Sequence, residues 1–253
     1  MASSDIATQP SATKSTQTQQ GSGDSKRIVN DFSIQVATVN GSGSQSANNV
    51  LLRSIFRMGI PVSGKNLFPS NIAGLPTWFT IRASKHGYIA RKKEIDFLVA
   101  MNPETAQEDV KSLGAGAAVV YDEPLKLDAV RNDLTFYAVP YDKLVAAVCP
   151  DAKLRKLVKN MIYVGVVGQI LGIDPARIEA EVAKQFGKKP KAQELNMNAV
   201  RAGFDYAKSS LTKADAFVVE PMNQTAGKII IDGNAATALG AMFGGVTVVT
   251  WYP

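Results

Sequence analysis

The sequence runs to 253 residues with 45% hydrophobic side chains, enough for one sizeable packed core or one domain with appendages. A single cysteine, Cys149, excludes an internal disulfide and a four-thiolate iron–sulfur cluster, and a single histidine, His86, excludes a multi-histidine zinc site. The formal charge of +6 licenses statements about association rather than about fold.

No apolar run approaches the roughly 20 residues of a membrane span, so no membrane partner is expected. The N-terminus has no apolar core of a secretory signal, and the lone thiol fits a reducing, cytoplasmic setting. No metal ligand set is expected in the chain. Residues 1–27 are rich in Ser, Thr, Gln and Gly, and are expected to be a disordered tail because they cannot bury enough apolar surface to offset their ordering entropy.

Ile34, Val36, Ala37 and Val39 then read as a short strand. Gly41 and Gly43 allow a tight turn, and Ala47, Val50, Leu51, Ile55 and Met58 recur at helical spacing. A strand, a glycine turn and a helix in that order aim free backbone N–H groups and a positive helix end at one spot, which suits a phosphate or carboxylate. The spacing is G-x-G-x-x-S, with Ser46 in the place of a third glycine, so a purely structural turn fits equally well.

Ile60–Ser63 reads as a second strand ending in Gly64-Lys65-Asn66. A NAD-binding unit wants an acid at that distance from the glycines. Lys65 argues against NAD and suits a phosphorylated ribose, as in NADP or coenzyme A; a surface lysine is the alternative. Leu67 to Trp78 reads as a long ordered loop, and Trp78–Ser84 as a strand with Tyr88–Ala90 as its hairpin partner across a His86-Gly87 turn.

Phe97–Met101, Ala117–Tyr121 and Leu134–Val139 are continuous apolar runs of the kind found in parallel strands covered on both faces. Helices are predicted from Asn102-Pro103-Glu104 to about Ser112, from Pro140 to Cys149, from Ala152 through an all-round apolar stretch, from Ala176 to Phe186 behind Asp174-Pro175, and from Ala192 to about Ser210. His86 reads as a solvated loop residue and Cys149 as a core residue. The basic runs Lys153–Lys159 and Phe186–Lys191 lack interleaved stacking aromatics; they read as a solvated face or a docking surface for an acidic partner, and no nucleic acid is expected. After a linker, Lys228–Asp232, Ala235–Phe243 and Val246–Trp251 read as strand, helix and strand.

Several blocks in order carry a resemblance: Gly41–Asn49 (GSGSQSANN), Phe56–Trp78 (FRMGIPVSGKNLFPSNIAGLPTW), Asp96–Thr105 (DFLVAMNPET), Ala117–Glu123 (AAVVYDE), Lys159–Ile173 followed by Asn196-Met197-Asn198, and Asp232–Pro253. On these the chain resembles the 2-oxoacid:acceptor (ferredoxin) oxidoreductases of the 2-oxoglutarate type. Within them it is similar to the subunit that places a gamma domain before a pyrimidine-binding alpha domain.

The resemblance implies an α/β fold: a three-layer, Rossmann-like gamma domain with a mixed, mostly parallel sheet and a helical C-terminal section. It divides the chain into a tail (1–27), the gamma domain (28–212), a linker (213–227) and the start of a truncated alpha domain (228–253). It implies a subunit in a hetero-oligomer with a thiamine-binding beta subunit and ferredoxin as electron acceptor. Thiamine diphosphate with Mg and an iron–sulfur cluster would serve in the complex without ligands from this chain, and coenzyme A would be the co-substrate.

Lys65 and the Ser70, Asn71, Ile72 loop are the first candidates to face substrate or coenzyme A. Gly41, Ser42, Gly43, Ser44 and Gln45 are the next. Tyr252 and Pro253 would open the family's Y-P-I-T-P motif, so the 253 residues by themselves are expected to be inert. The alternative is a stand-alone nucleotide- or coenzyme A-binding module without catalysis.

Overall fold

A computed structural model describes residues 27–68 and 74–250. Six strands form the main sheet: β2 (Asp31–Val39), β3 (Val62–Leu67), β4 (Pro76–Ser84), β5 (Phe97–Ala100), β6 (Ala118–Asp122) and β7 (Thr135–Val139), in the spatial order β3-β4-β2-β5-β6-β7. The β2–β5, β5–β6 and β6–β7 pairs are parallel, and β4 runs antiparallel to both its neighbours. A two-stranded parallel pair joins β1 (Ile28–Val29) to β8 (Phe217–Val218).

Alternation along β2 sends Ile34 and Val36 to one face and Ala37 to the other. The first face continues through Phe79, Ile81, Phe97 and Val99 into the larger core, with helices α1 (Ser44–Arg57), α4 (Ala152–Leu171), α5 (Pro175–Phe186) and α6 (Pro190–Ser210) packed on it. Leu51, Ile55 and Ile81 are fully buried there, each contributing roughly 1.5–3 kcal/mol of transfer free energy. The second face carries Leu98, Ala100 and Val119 under α2 (Ala106–Lys111). Short α3 (Tyr141–Val148) leads to α4, and α7 (Gly233–Phe243) follows β8. With helices on both faces, the expected mixed, mostly parallel α/β sheet is what the chain forms.

Helix boundaries follow local chemistry. Asp151 accepts the Lys153 N–H to start α4, Asp174 accepts the Ala176 N–H to start α5, and Gly172 ends α4 at φ 78°. Where α4 crosses α6, Gly165 faces the Val200 carbonyl and Gly203 the Ile162 carbonyl, so the two backbones touch directly.

Several expectations are corrected. The second strand does not end at Ser63: β3 covers Val62–Leu67, so Lys65 sits mid-strand. Gly64, Lys65 and Asn66 carry no apolar signal because β3 is an edge strand whose outer residues are exposed. β3 also pairs antiparallel with β4 rather than lying parallel beside β2, so β2, α1 and β3 are not a mononucleotide crossover; the parallel neighbour of β2 is β5.

The supposed long loop over 67–78 is shorter, since β3 runs to Leu67 and β4 begins at Pro76. Tyr88–Ala90 is not the partner of β4, because both edges of β4 are already occupied by β3 and β2. Lys228–Asp232 and the described part of 246–251 form no strands; among the described residues no neighbouring strand satisfies their backbone groups. The 1–27 tail, apart from Arg27, lies outside the described residues.

The segment expected as a linker is partly anchored. The Asp215 carboxylate accepts from the Tyr137 hydroxyl at 2.6 Å and from the Phe217 N–H at 2.8 Å. Burial, together with the anion beside it, pushes the Tyr137 hydroxyl pKa well up. The Val219 N–H donates to the Leu171 carbonyl at 2.8 Å.

Candidate functional site

The helix after β2 lies on one face of the sheet and the helix after β5 on the other. The carboxyl ends of β2 and β5 therefore flank a switch point, where open α/β sheets hold ligands. The turn at that point is Asn40 to Gly43. Gly41 and Gly43 sit at φ 80° and 81°, a region that disfavours any side chain, and the Ser42 N–H closes the turn on the Val39 carbonyl at 3.1 Å. Helix α1 starts directly after Gly43 with no side-chain cap and no acid in its first turn, so no carboxylate of that turn offsets the positive end of its dipole.

The turn is held from beneath by α4. Asn160 Nδ2 donates to the Ser42 carbonyl at 2.8 Å, and the Tyr163 hydroxyl donates to Asn48 Oδ1 at 2.8 Å. Thr38 Oγ1 and Ser44 Oγ share a buried hydrogen bond of 2.9 Å. Burial raises the Tyr163 hydroxyl pKa well above its ordinary range, which keeps it neutral and donating.

A cavity of about 340 Å³ opens in front of this turn. Gly41, Gly43, Ser44, Gln45 and Asn48 form one wall, and Asn66, Phe68, Thr77 and Phe79 of the β3–β4 hairpin form the other. The described lining residues are uncharged: hydroxyl and amide groups stand around one open helix N-terminus, beside the rings of Phe68 and Phe79. It can accept an anionic group and hydrogen-bond its neighbours; among the described residues it offers no acid–base pair.

Of the residues singled out from sequence, the structure brings Gly41, Gly43, Ser44 and Gln45 together at this cavity. Ser42 does not line it, and its hydroxyl is buried without a described partner. Lys65 is exposed, and it is on the other face of the sheet. The position of a Gly64 Cβ would press on Phe79 and Leu52 in the larger core, so alternation turns Lys65 away from that side, opposite Thr80. Ser70, Asn71, Ile72, Tyr252 and Pro253 lie outside the described residues.

Asn48 was not singled out, although its i, i+4 relation to Ser44 in a helix was a readable signal. Asn66 needed the register of β3. Asn160 and Tyr163 reach the turn from more than a hundred residues away, and no local pattern announces that. Cys149 is buried at the end of α3 and His86 is exposed beyond β4.

At the carboxyl end of β6, Lys159 bridges Asp122 at 2.7 Å and Asp142 at 2.9 Å. Burial alone would lower the ammonium pKa; the hydrogen bonds to Asp122 and Asp142 outweigh it and raise the pKa above the ordinary 10.5. The folded-state pKa lies above the unfolded one. The contribution to stability is therefore whole below pH 10.5 and fades as pH climbs through the folded value. Lys159→Met removes the only described donor to the Asp122 carboxylate and is expected to cost about 2 kcal/mol at pH 7 in urea unfolding. That is below the roughly 3–5 kcal/mol of a fully buried pair, because Lys159 is 23% exposed. The variant should also lose less stability than the wild type above pH 10.5.

Residues 33–206 match the family described as pyruvate ferredoxin/flavodoxin oxidoreductase. The chain is similar to subunit alpha of 2-oxoacid:ferredoxin oxidoreductase 2 from Aeropyrum pernix, 22% identical over 262 residues, covering 88% of this chain and 41% of that one. It is similar in structure to the 2-oxoglutarate:ferredoxin oxidoreductase from Magnetococcus marinus, solved with 2-oxoglutarate, coenzyme A and succinyl-CoA bound, with TM-score 0.76 and 28% identity over 86% of this chain and 38% of that one. The gamma subunit of a keto/oxoacid ferredoxin oxidoreductase from Geobacter sulfurreducens shares the fold at TM-score 0.57 and 18% identity, covering 71% of this chain and 99% of that one. The chain thus spans about two fifths of the length of the curated relatives it matches.

Proposed function

The chain belongs to the pyruvate ferredoxin/flavodoxin oxidoreductase family, and from that premise we propose that it forms the gamma-type part of a 2-oxoacid:ferredoxin oxidoreductase, lining the coenzyme A side of the active site. The observation that carries this is the 340 Å³ cavity, built between an uncapped helix N-terminus and a hairpin end that presents Asn66 and Thr77 beside Phe68 and Phe79, in a chain of this family. The reaction is the oxidative decarboxylation of a 2-oxoacid, 2-oxoglutarate by likeness to the Magnetococcus marinus enzyme, giving an acyl-CoA with electrons passed to ferredoxin.

The residues present fit a phosphate of coenzyme A. The first-turn N–H groups of α1 carry no competing carboxylate, and Ser44, Gln45, Asn48, Asn66 and Thr77 supply neutral polar groups around them. Among the described residues, no three or more His, Cys, Asp or Glu side chains converge as metal ligands. On the family reading, the iron–sulfur cluster and the thiamine diphosphate with its Mg belong to a beta subunit and to an alpha domain that begins near residue 228. Thiamine diphosphate supplies the decarboxylation chemistry when bound; this chain's part is to hold and orient the co-substrate. Assembly as a cytoplasmic hetero-oligomer with ferredoxin as acceptor completes the reading. No helix among the described residues is long and apolar enough to cross a membrane.

Gln45→Glu tests the assignment. Gln45 is exposed in the first turn of α1, where a carboxylate suits the helix dipole, so folding is preserved while an anion is repelled. In the assembled enzyme, ferredoxin reduction with 2-oxoglutarate should show a KM for coenzyme A raised by about tenfold, on the order of 1.4 kcal/mol, with the 2-oxoglutarate KM unchanged. An unaltered coenzyme A KM would remove the turn from the site. Lys65→Ala, run in parallel, asks the same of the opposite face: unchanged kinetics for both substrates exclude Lys65.

A further inference from the structure

The basic runs at Lys153–Lys159 and Phe186–Lys191 are far apart in sequence, and neither lines the cavity in front of α1. The fold brings them together. Between the first turns of α4, the end of α5 and the start of α6 lies a groove of about 520 Å³. Leu154, Leu157, Met161, Phe186 and Leu195 make its floor, and Lys189 and Lys191 stand on its rim. Leu154 is 40% exposed and Leu157 50%, on a helix whose next turns are fully buried. Lys153 and Lys156, also exposed, flank these leucines along α4.

Among the described residues none of Lys153, Lys156, Lys189 and Lys191 forms an ion pair, so their charges are free to meet a carboxylate from outside. An apolar trough bordered by four unpaired cations is the complement of a helix with leucine-like residues on one face and carboxylates beside them. A free solvated face would explain the lysines but not two exposed leucines between them.

We infer that this groove docks an acidic amphipathic helix from a partner polypeptide of the enzyme. The contact buries the exposed leucines, and its charge pairs set the rate and register of association. The groove is lined by Gly43 of the glycine turn and Ser46 of the first turn of α1, so the docked helix braces the wall from which the α1 N-terminus faces the cavity.

The inference rests on the functional reading only in assuming an enzyme of more than one polypeptide. The test places a photo-cross-linking benzoylphenylalanine at position 154 of the purified, assembled enzyme and maps the adducts by mass spectrometry. An adduct on an acidic helix of a different polypeptide is expected. Adducts confined to this chain, to a second copy of it, or to nothing overturn the docking. Ferredoxin reduction from the 2-oxoacid by the same preparation is scored separately: turnover without the adduct sinks the docking alone, and the adduct without turnover sinks the functional reading alone. The double variant Lys189→Glu, Lys191→Glu should weaken association by about tenfold at physiological salt and flatten its salt dependence, while Lys143→Glu, outside the groove, should not; equal effects of both would also overturn the inference.

Discussion

Replacing Gly165 by Ala is expected to destabilise the fold by at least about 3 kcal/mol, a fall in Tm of roughly 6–12 °C for a domain of this size. In an ordinary helix interior the same change stabilises by roughly 0.5–1 kcal/mol, because Ala is the better helix former. Packing reverses the sign here. A Cβ at Gly165 would stand 2.0 Å from the Val200 carbonyl oxygen and 2.7 Å from the Phe204 nitrogen, both backbone atoms of α6 that no rotamer change can move.

Gly203 is the reciprocal contact: its Cβ would stand 2.1 Å from the Ile162 carbonyl oxygen. Once α4 and α6 separate for one substitution the second meets less resistance, so the double variant should cost less than the sum of the singles. Gly240 in α7 is the control. Nothing lies within 4 Å of its would-be Cβ, and Gly240→Ala should be neutral or slightly stabilising. Calorimetric unfolding of the four variants measures all of this, and a Gly165→Ala protein as stable as the wild type would show that the crossing is looser than described. The effect reaches the candidate site, because α4 carries Asn160 and Tyr163 under the glycine turn.

The element that frames the site was legible because its period changes abruptly. Ile34, Val36 and Phe32 alternate, two glycines interrupt, and Ala47, Leu51 and Ile55 resume at helical spacing. β5, β6 and β7 were legible for a different reason: helices cover both faces, so every residue from Phe97 to Ala100 is apolar. β3 was misread because an edge strand with solvent on its outer side needs no apolar alternation past Val62. The side on which Lys65 falls depends on pairing to Thr80, which spacing from the glycines cannot supply. β1 and β8 were missed outright, being two residues each and meeting across almost the whole chain. Lys228–Asp232 shows the converse: a strand-like composition with no described strand beside it stays unpaired. Local pattern reports burial on one or two faces, whereas which surface faces which cavity is decided by long-range pairing.

Gly59→Ala should release the segment that leads from the sheet domain toward α7 without unfolding the domain. Gly59 follows the end of α1 at φ 84°, where a side chain costs about 1–2 kcal/mol. Its Cβ would lie 1.8 Å from the Met222 carbonyl oxygen, so the segment itself must move. That segment caps α1: the Met222 N–H donates to the Met58 carbonyl at 2.7 Å, the Gln224 N–H to the Gly59 carbonyl at 2.9 Å, and the Thr225 hydroxyl to the Phe56 carbonyl at 2.8 Å. Losing these three bonds adds about 1 kcal/mol each, so local opening should become easier by about 4 kcal/mol. The anchor one turn earlier is independent, because Val219 is held by the Leu171 carbonyl and Phe217 by Asp215. Hydrogen exchange should therefore lose protection at Met222 and Gln224 and keep it at Val219, with limited proteolysis accelerated between residues 220 and 232. If protection falls at Val219 as well, the two anchors act as one unit. If it falls at neither, the α1 terminus does not position the segment, and its anchor lies at Val219 and Asp215 alone.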